Sequence, residues 1–294
     1  MTASPPGANL RGISLFLSAI FLFACLDTLA KYMTRDFHVM QIAWGRYVFS
    51  SVFLLALVPR YGFVRPLRSA RPWFQFMRAL LLAVVSLMFF TSVSYLPLAD
   101  VTAIGFAAPL ILTGLAHFVL GERVGIRRWL AILVGFVGVL VIIRPGFGVM
   151  HWAVFVALAM AASNAAYQLA TRMLAGVDSA QTTIFFTNLV GSVAFSLLIP
   201  FFWSPPGLAG WAGLAALGFF GGLGHYLLIQ AFSHAPASLL APYTYTAILW
   251  VTFTGYLIFD QLPDLWTIAG AAIIIASGIY VFYREAYLRK TGRL

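Results

Sequence analysis

Charged side chains are scarce in this 294-residue chain: Asp, Glu, Lys and Arg make up 9% of it, against about 25% in an ordinary soluble domain. Hydrophobic residues make up 62%. A soluble fold of this length would need far more polar surface to face water, so the composition excludes a soluble globular protein. It also excludes a disordered chain, because disorder requires low hydrophobicity. The sequence therefore predicts a protein whose solvent is lipid.

Cysteine is almost absent, since Cys25 stands alone and cannot form an intrachain disulfide. No cysteine or carboxylate lies at ligand spacing from any histidine, so we expect no metal and no cofactor. The net charge of +10 would suggest a nucleic-acid partner in a soluble protein. In a membrane protein, Lys and Arg accumulate in cytoplasmic loops instead, so we expect no nucleic-acid partner.

Long hydrophobic runs dominate what is present, and charges or Pro-Gly breaks separate them. The stretch from Ser179 to Phe259 contains no Asp, Glu, Lys or Arg. A bilayer crossing needs about 20 mostly apolar residues. We therefore predict an all-α integral membrane protein with ten transmembrane helices, which cover residues 11–32, 39–59, 72–95, 99–120, 127–144, 150–174, 180–202, 209–233, 238–259 and 265–283.

The basic residues fall mainly on one side of this predicted topology. The N-terminus, the even-numbered loops and the C-terminal tail hold most of them, whereas the opposite side holds only Lys31, Arg35 and Arg144. The basic side carries Arg11, Arg60, Arg65, Arg68, Arg71, Arg123, Arg127, Arg128, Arg172, Arg284, Arg289, Lys290 and Arg293. Because cytoplasmic loops are enriched in Lys and Arg, we expect both termini in the cytoplasm.

A weak internal repeat relates the two halves of the chain. A shift of 140 residues places residues 29–33 on 169–173 and Gly138 on Gly278, and a shift of 139 places Phe106 on Tyr245. We predict two units, residues 1–146 and 147–294, with five spans each. Because five is odd, the second unit would be inverted in the membrane, an arrangement typical of secondary transporters with a site between the repeats. A chance similarity of two apolar sequences is the alternative.

Three short motifs of the first half resemble a known family. They cover residues 94–100 (SYLPLAD), 107–110 (AAPL) and 121–124 (GERV), and the second half keeps Pro236 and Ser238 but has Asp260-Gln261 in place of Gly121-Glu122. The chain resembles the EamA-type members of the drug/metabolite transporter superfamily over essentially its full length.

That resemblance implies a metabolite transporter. Within the superfamily the chain is similar to the YddG-type exporters, which implies export of aromatic and other neutral amino acids across the bacterial inner membrane by alternating access. The alternative is an importer of another metabolite, of the riboflavin or S-adenosylmethionine type, and a channel is a further alternative. We expect no enzyme, because no catalytic motif is present. Beyond the solute and the lipid, no obligatory protein partner is expected.

Polar residues inside the predicted helices are candidates for the transport site, because each is costly in hydrocarbon. Asp27 and Lys31 lie four apart on one helix face, so they could pair, or serve gating or ion coupling. Asn164 and Gln168 form a stripe of two amides that suits a solute with donors and acceptors, or glues helices together.

Further candidates come from the last third of the chain and from its repeat mates. His225, Tyr226 and Gln230 follow a glycine-rich run, and His225 could bind a carboxylate or a proton. Tyr245, Phe106 and Thr113 would line an aromatic wall that holds a planar group. Pro109 and Pro242 would kink their helices and free a carbonyl.

Arg46 and Arg78 lie inside predicted helices near their ends. Long side chains of this kind reach the membrane surface while the helix stays in lipid. We expect both arginines to do so, with substrate binding as the less favoured alternative.

Overall fold

The computed structural model describes residues 6–57, 69–122, 124–145 and 151–290, and this part of the chain is helical without a β-strand. In chain order, the first helices are α1 (Pro6–Met33), α2 (Val39–Leu57), α3 (Pro72–Tyr95), α4 (Leu98–Gly105), α5 (Ala108–Leu120), α6 (Ile126–Ile143), α7 (Ala153–Leu174), α8 (Ala180–Leu198) and α9 (Leu208–His234). Then follow α10 (Ala237–Leu240), a 3-10 segment (Ala241–Thr246), α11 (Ala247–Phe259) and α12 (Leu265–Lys290). A 3-10 turn (Ile199–Phe201) extends α8.

The helices are long and apolar enough for a multi-pass membrane protein. Eight candidate spans meet length and hydropathy limits within the described residues, and α2 adds a shorter apolar helix over Val39–Leu55. The predicted crossing over residues 238–259 is divided into α10, the 3-10 segment and α11. The all-α membrane fold is therefore confirmed, whereas ten crossings are not, and that number stays a prediction.

The surface of α6 shows why lipid must surround the fold. Leu133 and Val137 on its outer face are more than half exposed, although both are large and apolar. Gly138 on the opposite face lies against α12, where an added Cβ would be 2.8 Å from the carbonyl oxygen of Gly270. Close helix packing through glycines on one face and bare aliphatic side chains on the other are typical of helices in a bilayer.

Two predicted helices are interrupted, and the interruptions fall at corresponding places in the halves. The predicted helix 99–120 ends its first part at Gly105 and restarts at Ala108, so that Phe106 and Ala107 join α4 to α5. The predicted helix 238–259 tightens into the 3-10 segment Ala241–Thr246 before α11. Prolines near both breaks remove helix hydrogen bonds, which explains why a regular α-helix does not continue.

Most of the extensive helix contacts join the first half to the second. They come in pairs that the predicted repeat relates: α1 packs on α9 as α7 packs on α3, and α2 packs on α9 as α8 packs on α3. Likewise α5 contacts α7 as α11 contacts α1, while α2 with α8 and α6 with α12 are contacts between repeat mates. This pattern agrees with a twofold relation of the halves. The boundary at residues 146–147 lies outside the described residues.

A contact between the loop that precedes α8 and the start of α3 also joins the two halves. The Asp178 carboxylate accepts hydrogen bonds from Ser69 Oγ at 2.5 Å, Gln75 Nε2 at 2.8 Å and the Ala70 amide at 2.9 Å. Desolvation opposes ionisation of this carboxyl, but the three hydrogen bonds outweigh it and hold the pKa of Asp178 below its usual value.

Some of the basic residues that predicted the topology have no described position. These are Arg60, Arg65, Arg68, Arg123 and Arg293, which lie outside the described residues.

Candidate functional site

A cavity of about 400 Å³ lies between the halves, beside both helix interruptions. Its volume suits a metabolite-sized solute. Helices α1, α3, α4, α5, α7 and α12 and the 3-10 segment all contribute to its wall. The lining residues are Asp27, Phe89, Val101, Thr102, Gly105, Phe106, Ala108, Pro109, Met160, Asn164, Gln168, Ala241, Pro242, Thr244, Tyr245, Gly278, Ile279 and Phe282. Most of this wall is apolar, so its few polar groups define what it can bind.

Asp27, Asn164 and Gln168 supply a carboxylate and two amides to the cavity wall. All three are half-buried, and none makes a side-chain hydrogen bond or an ion pair within the part of the chain that the structure describes. The i, i+4 spacing of Asn164 and Gln168 directs both amides to the same side of α7, as the sequence predicts. A carboxylate and two amides without protein partners are therefore available to a solute.

The aromatic part of the wall consists of repeat mates. Phe106 and Tyr245 contact each other edge to face, with ring centroids 5.1 Å apart and an interplanar angle of 79°. Gly278 leaves the space that the Tyr245 hydroxyl occupies, since an added Cβ there would overlap this oxygen. The two rings stand at the helix interruptions, so they can support a planar group at the cavity wall.

The two prolines lie where the backbone faces the cavity. Pro109 has no N–H for the carbonyl of Gly105, and both residues line the cavity. Thr113 does not line it, and its hydroxyl donates to the Pro109 carbonyl at 3.0 Å. Pro242 lies in the 3-10 segment and does line it.

Of the remaining predicted residues, His225, Tyr226, Gln230 and Lys31 lie away from the wall of this cavity. His225 Nδ1 is 2.8 Å from the carbonyl oxygen of Gly221, so Nδ1 carries the proton. The other nitrogen of the neutral ring is then an acceptor. A neutral His225 therefore presents an acceptor to its surroundings, which agrees with the expected proton site better than with the expected carboxylate ligand, and its role in transport stays a prediction.

Lys31 does not pair with Asp27. Its ammonium donates to the Leu96 carbonyl at 2.7 Å and to Gln261 Oε1 at 2.9 Å, and it lies 5.2 Å from the Phe259 ring centroid. The cause is the supply of closer acceptors at the end of α1. This contact ties α1 of the first half to the loop after α11 of the second.

A second contact between the halves lies at the position that the predicted repeat relates to the Lys31–Gln261 contact. Arg172 forms an ion pair with Glu122, with Nη2 2.6 Å from Oε1. Lys31 and Arg172 both lie two residues before the end of their helices, and Gln261 and Glu122 both lie two residues after theirs. We call Lys31–Gln261 and Arg172–Glu122 the two latches.

Arg78 contradicts the expectation that it reaches the membrane surface, because it is 1% exposed. Its guanidinium donates to Gln75, Thr171 and the Thr183 carbonyl, and closely to Thr187. Acceptors from neighbouring helices hold it inside the bundle.

Arg46 is half-buried and also turns toward the bundle, since it donates to Ser86 at 2.8 Å. Thr102, Thr244 and Met160 also line the cavity, although the sequence did not predict them as site residues. Thr102 and Thr244 lie close to the interruptions in sequence, which was an available signal, whereas Met160 lies within α7 and had none.

The cavity between two halves, the interrupted helices and the apolar exterior are typical of a membrane transporter. The chain belongs to the EamA-like transporter family, whose model matches it twice, over residues 10–144 and 151–283, and this family places it among transporters and not enzymes.

Several curated relatives cover nearly the whole chain. An S-adenosylmethionine uptake transporter of Rickettsia bellii is 31% identical over 93% of this chain and 94% of its own. The pseudopaline exporter CntI of Pseudomonas aeruginosa is 27% identical over 91% and 94%. A riboflavin transporter of Vibrio cholerae is 26% identical over 92% and 93%. A solved structure described as "Crystal structure of protein" has a TM-score of 0.64 at 18% identity and covers 91% of this chain and 94% of its own, which shows a shared fold.

These relatives correct the expected substrate. They are named for S-adenosylmethionine, pseudopaline and riboflavin, and none of them for amino-acid export. Export of aromatic amino acids is therefore wrong as a prediction, and the narrower likeness to YddG-type exporters lacks support. The alternative, an importer of another metabolite, fits better.

Proposed function

We propose that this protein imports a cationic metabolite of the S-adenosylmethionine type through the cavity between its halves. The observation that carries the proposal is the Asp27 carboxylate, which lines the cavity without a hydrogen bond or ion pair to the described residues. An ionised carboxylate in a mostly apolar wall is costly unless a cation neutralises it. The sulfonium and ammonium groups of S-adenosylmethionine supply positive charge, whereas the ring system of riboflavin is neutral.

The remaining wall suits the rest of such a molecule. The Phe106–Tyr245 pair offers a surface on which adenine can pack, and the amides of Asn164 and Gln168 can pair with the donors and acceptors of the base or the ribose. The four Rickettsia relatives named for uptake, which are 29–31% identical, support the direction of transport.

Transport through this site would follow alternating access, with the halves moving around the cavity while one latch opens at a time. We place the protein in the bacterial inner membrane, with ten crossings and both termini in the cytoplasm. The Lys and Arg distribution supports this orientation. The ten crossings would comprise the eight long spans, α2 and the interrupted segment from Ala237 to Phe259.

The test is uptake of radiolabelled S-adenosylmethionine by proteoliposomes that contain the full chain. We expect saturable uptake, and we expect Asp27→Asn to raise the apparent KM by about ten- to a hundredfold, since a charge-assisted contact contributes about 1.5–3 kcal/mol. Asp36→Asn is the matched control, because this exposed acid lies beyond the end of α1.

Two results would contradict the proposal. One is the absence of saturable uptake of S-adenosylmethionine. The other is saturable uptake of riboflavin that is insensitive to Asp27→Asn, which would make the protein a carrier of a neutral solute. Topology is tested separately with reporter fusions at the C-terminus.

A further inference from the structure

A second, smaller cavity lies beside the central one and contains an arginine. Its volume is about 30 Å³, and its wall includes Arg46, Tyr47, Ser50, Tyr167, Asn188 and His225. We call it the arginine chamber. Tyr167 lines the chamber and the next residue, Gln168, lines the central cavity, so the two spaces are neighbours along α7. The volume admits one or two small polar groups and excludes a whole metabolite.

The chamber has positive charge on two sides. Among the described residues, Arg46 makes one side-chain hydrogen bond, to Ser86 Oγ at 2.8 Å, although a guanidinium has five donors. The rings of Tyr47 and Phe90 lie near it, with centroids at 5.4 and 5.7 Å. Arg78 adds a second cation, which donates to Thr187 in the chamber wall.

Neither arginine has a carboxylate partner in the described part of the chain, where the ion pairs are Arg144–Asp264 and Arg172–Glu122. The hydrogen-bond acceptors of both are neutral oxygen atoms. Two cations inside a membrane bundle without an acid in contact are costly, and such groups commonly mark a binding site. A bound anion would balance this charge.

The nearby groups limit what that anion can be. Tyr47 directs its hydroxyl to Ser86 at 2.9 Å, and His225 presents an acceptor nitrogen as a neutral ring. The N–H groups of Arg46 that have no acceptor among the described residues are therefore the main donors to an anion. Two parallel N–H groups of a planar guanidinium match the two oxygen atoms of a carboxylate. Asp27 lines the central cavity and Arg46 lines the chamber, so negative and positive protein groups face neighbouring spaces.

We propose that the arginine chamber binds the carboxylate of a zwitterionic substrate, with Arg46 as its direct partner, while Asp27 faces the cationic centre in the central cavity. This inference rests on the proposed function, which it deepens from a cationic to a zwitterionic metabolite. S-adenosylmethionine meets the requirement, because its carboxylate lies at one end and its sulfonium is several bonds away.

The test compares binding of S-adenosylmethionine and decarboxylated S-adenosylmethionine to the full-length protein in detergent. The two molecules differ only in the carboxylate. We expect the wild type to bind S-adenosylmethionine at least about tenfold more tightly, as a charge-assisted contact implies. Arg46→Gln should bring this ratio close to one while binding of the decarboxylated form changes little, and Arg46→Lys should keep part of the preference. Arg11→Gln, at an exposed arginine of α1, is the matched control.

Each outcome decides between the two proposals. Equal wild-type affinities, or a ratio that Arg46→Gln leaves unchanged, overturn the carboxylate site while uptake of S-adenosylmethionine still stands. If S-adenosylmethionine does not bind, the proposed function fails, and succinate is compared with succinamide by their shift of the unfolding temperature. An Arg46-dependent shift with succinate alone then supports the anion site, and its absence overturns it.

Discussion

The two latches differ in burial, and this difference predicts an unequal effect on conformation. Lys31 is 9% exposed and makes two hydrogen bonds, whereas the Arg172 and Glu122 side chains are 40% and 24% exposed. A hydrogen bond from a buried charged group contributes about 1.5–3 kcal/mol, and an exposed ion pair contributes about 0.2–1 kcal/mol. Lys31→Met should therefore shift the closed-to-open equilibrium at its end by about ten- to a hundredfold, and Arg172→Met by less than about fivefold.

Cysteine accessibility measures this shift directly. Cys25→Ala provides the background, and Thr102→Cys places one thiol in the wall of the central cavity. A membrane-impermeant maleimide is added to one side of vesicles of known orientation. We expect Lys31→Met to raise the labelling rate from the Lys31 end by about tenfold or more, while Arg172→Met changes the rate from the opposite end only slightly.

Two results would refute the reasoning. Equal increases from the two substitutions would show that burial does not set the strength of the latches. An unchanged rate in Lys31→Met would show that the contacts of Lys31 with Leu96 and Gln261 do not hold the cavity closed at that end. Thermal unfolding of each variant in detergent separates a change in gating from a loss of the fold.

Two further predictions concern the cavity wall and a loop contact. Gly278→Ala should overlap the Tyr245 hydroxyl and displace the ring into the cavity, so we expect a loss of about 1–3 kcal/mol in stability and weaker uptake of large solutes, measured by thermal unfolding and by transport. Asp178→Asn should destabilise the protein at neutral pH. The pKa of the Asp178 carboxyl is lower in the folded state than in the unfolded state, so this group stabilises the fold when the pH is above the pKa of the unfolded state. The difference from wild type should shrink as the pH falls through the lowered pKa, and an equal difference at all pH values would contradict this.

The helices could be predicted from the sequence because the signals that set them are local. The gaps between charges located the third predicted span at residues 72–95, and the structure has Pro72–Tyr95. The interruptions at Phe106 and in the 3-10 segment were not predicted in extent, although Pro109 and Pro242 indicated kinks. A proline removes one hydrogen bond, but how many residues then leave the α-helix depends on what neighbouring helices pack against it.

The polar residues show the limit of a one-dimensional argument. The i, i+4 rule is correct for Asn164 and Gln168, which both line the cavity, because one helix fixes their relation. The same rule fails for Asp27 and Lys31, because acceptors from Leu96 and Gln261, distant in sequence, bind the ammonium.

The expectation that Arg46 and Arg78 reach the membrane surface is wrong for a related reason. The position of a residue along a helix does not tell which face of the helix points into the bundle. Position alone suits a side chain that reaches the membrane surface. Only the packing of α2 against α3, α8 and α9, and of α3 against α7 and α8, directs the two guanidinium groups inward. Once inside, each charge must be balanced by something. Since Asp27 lines the central cavity and forms no ion pair with either arginine among the described residues, the proposed zwitterionic solute would complete the charge balance of this site.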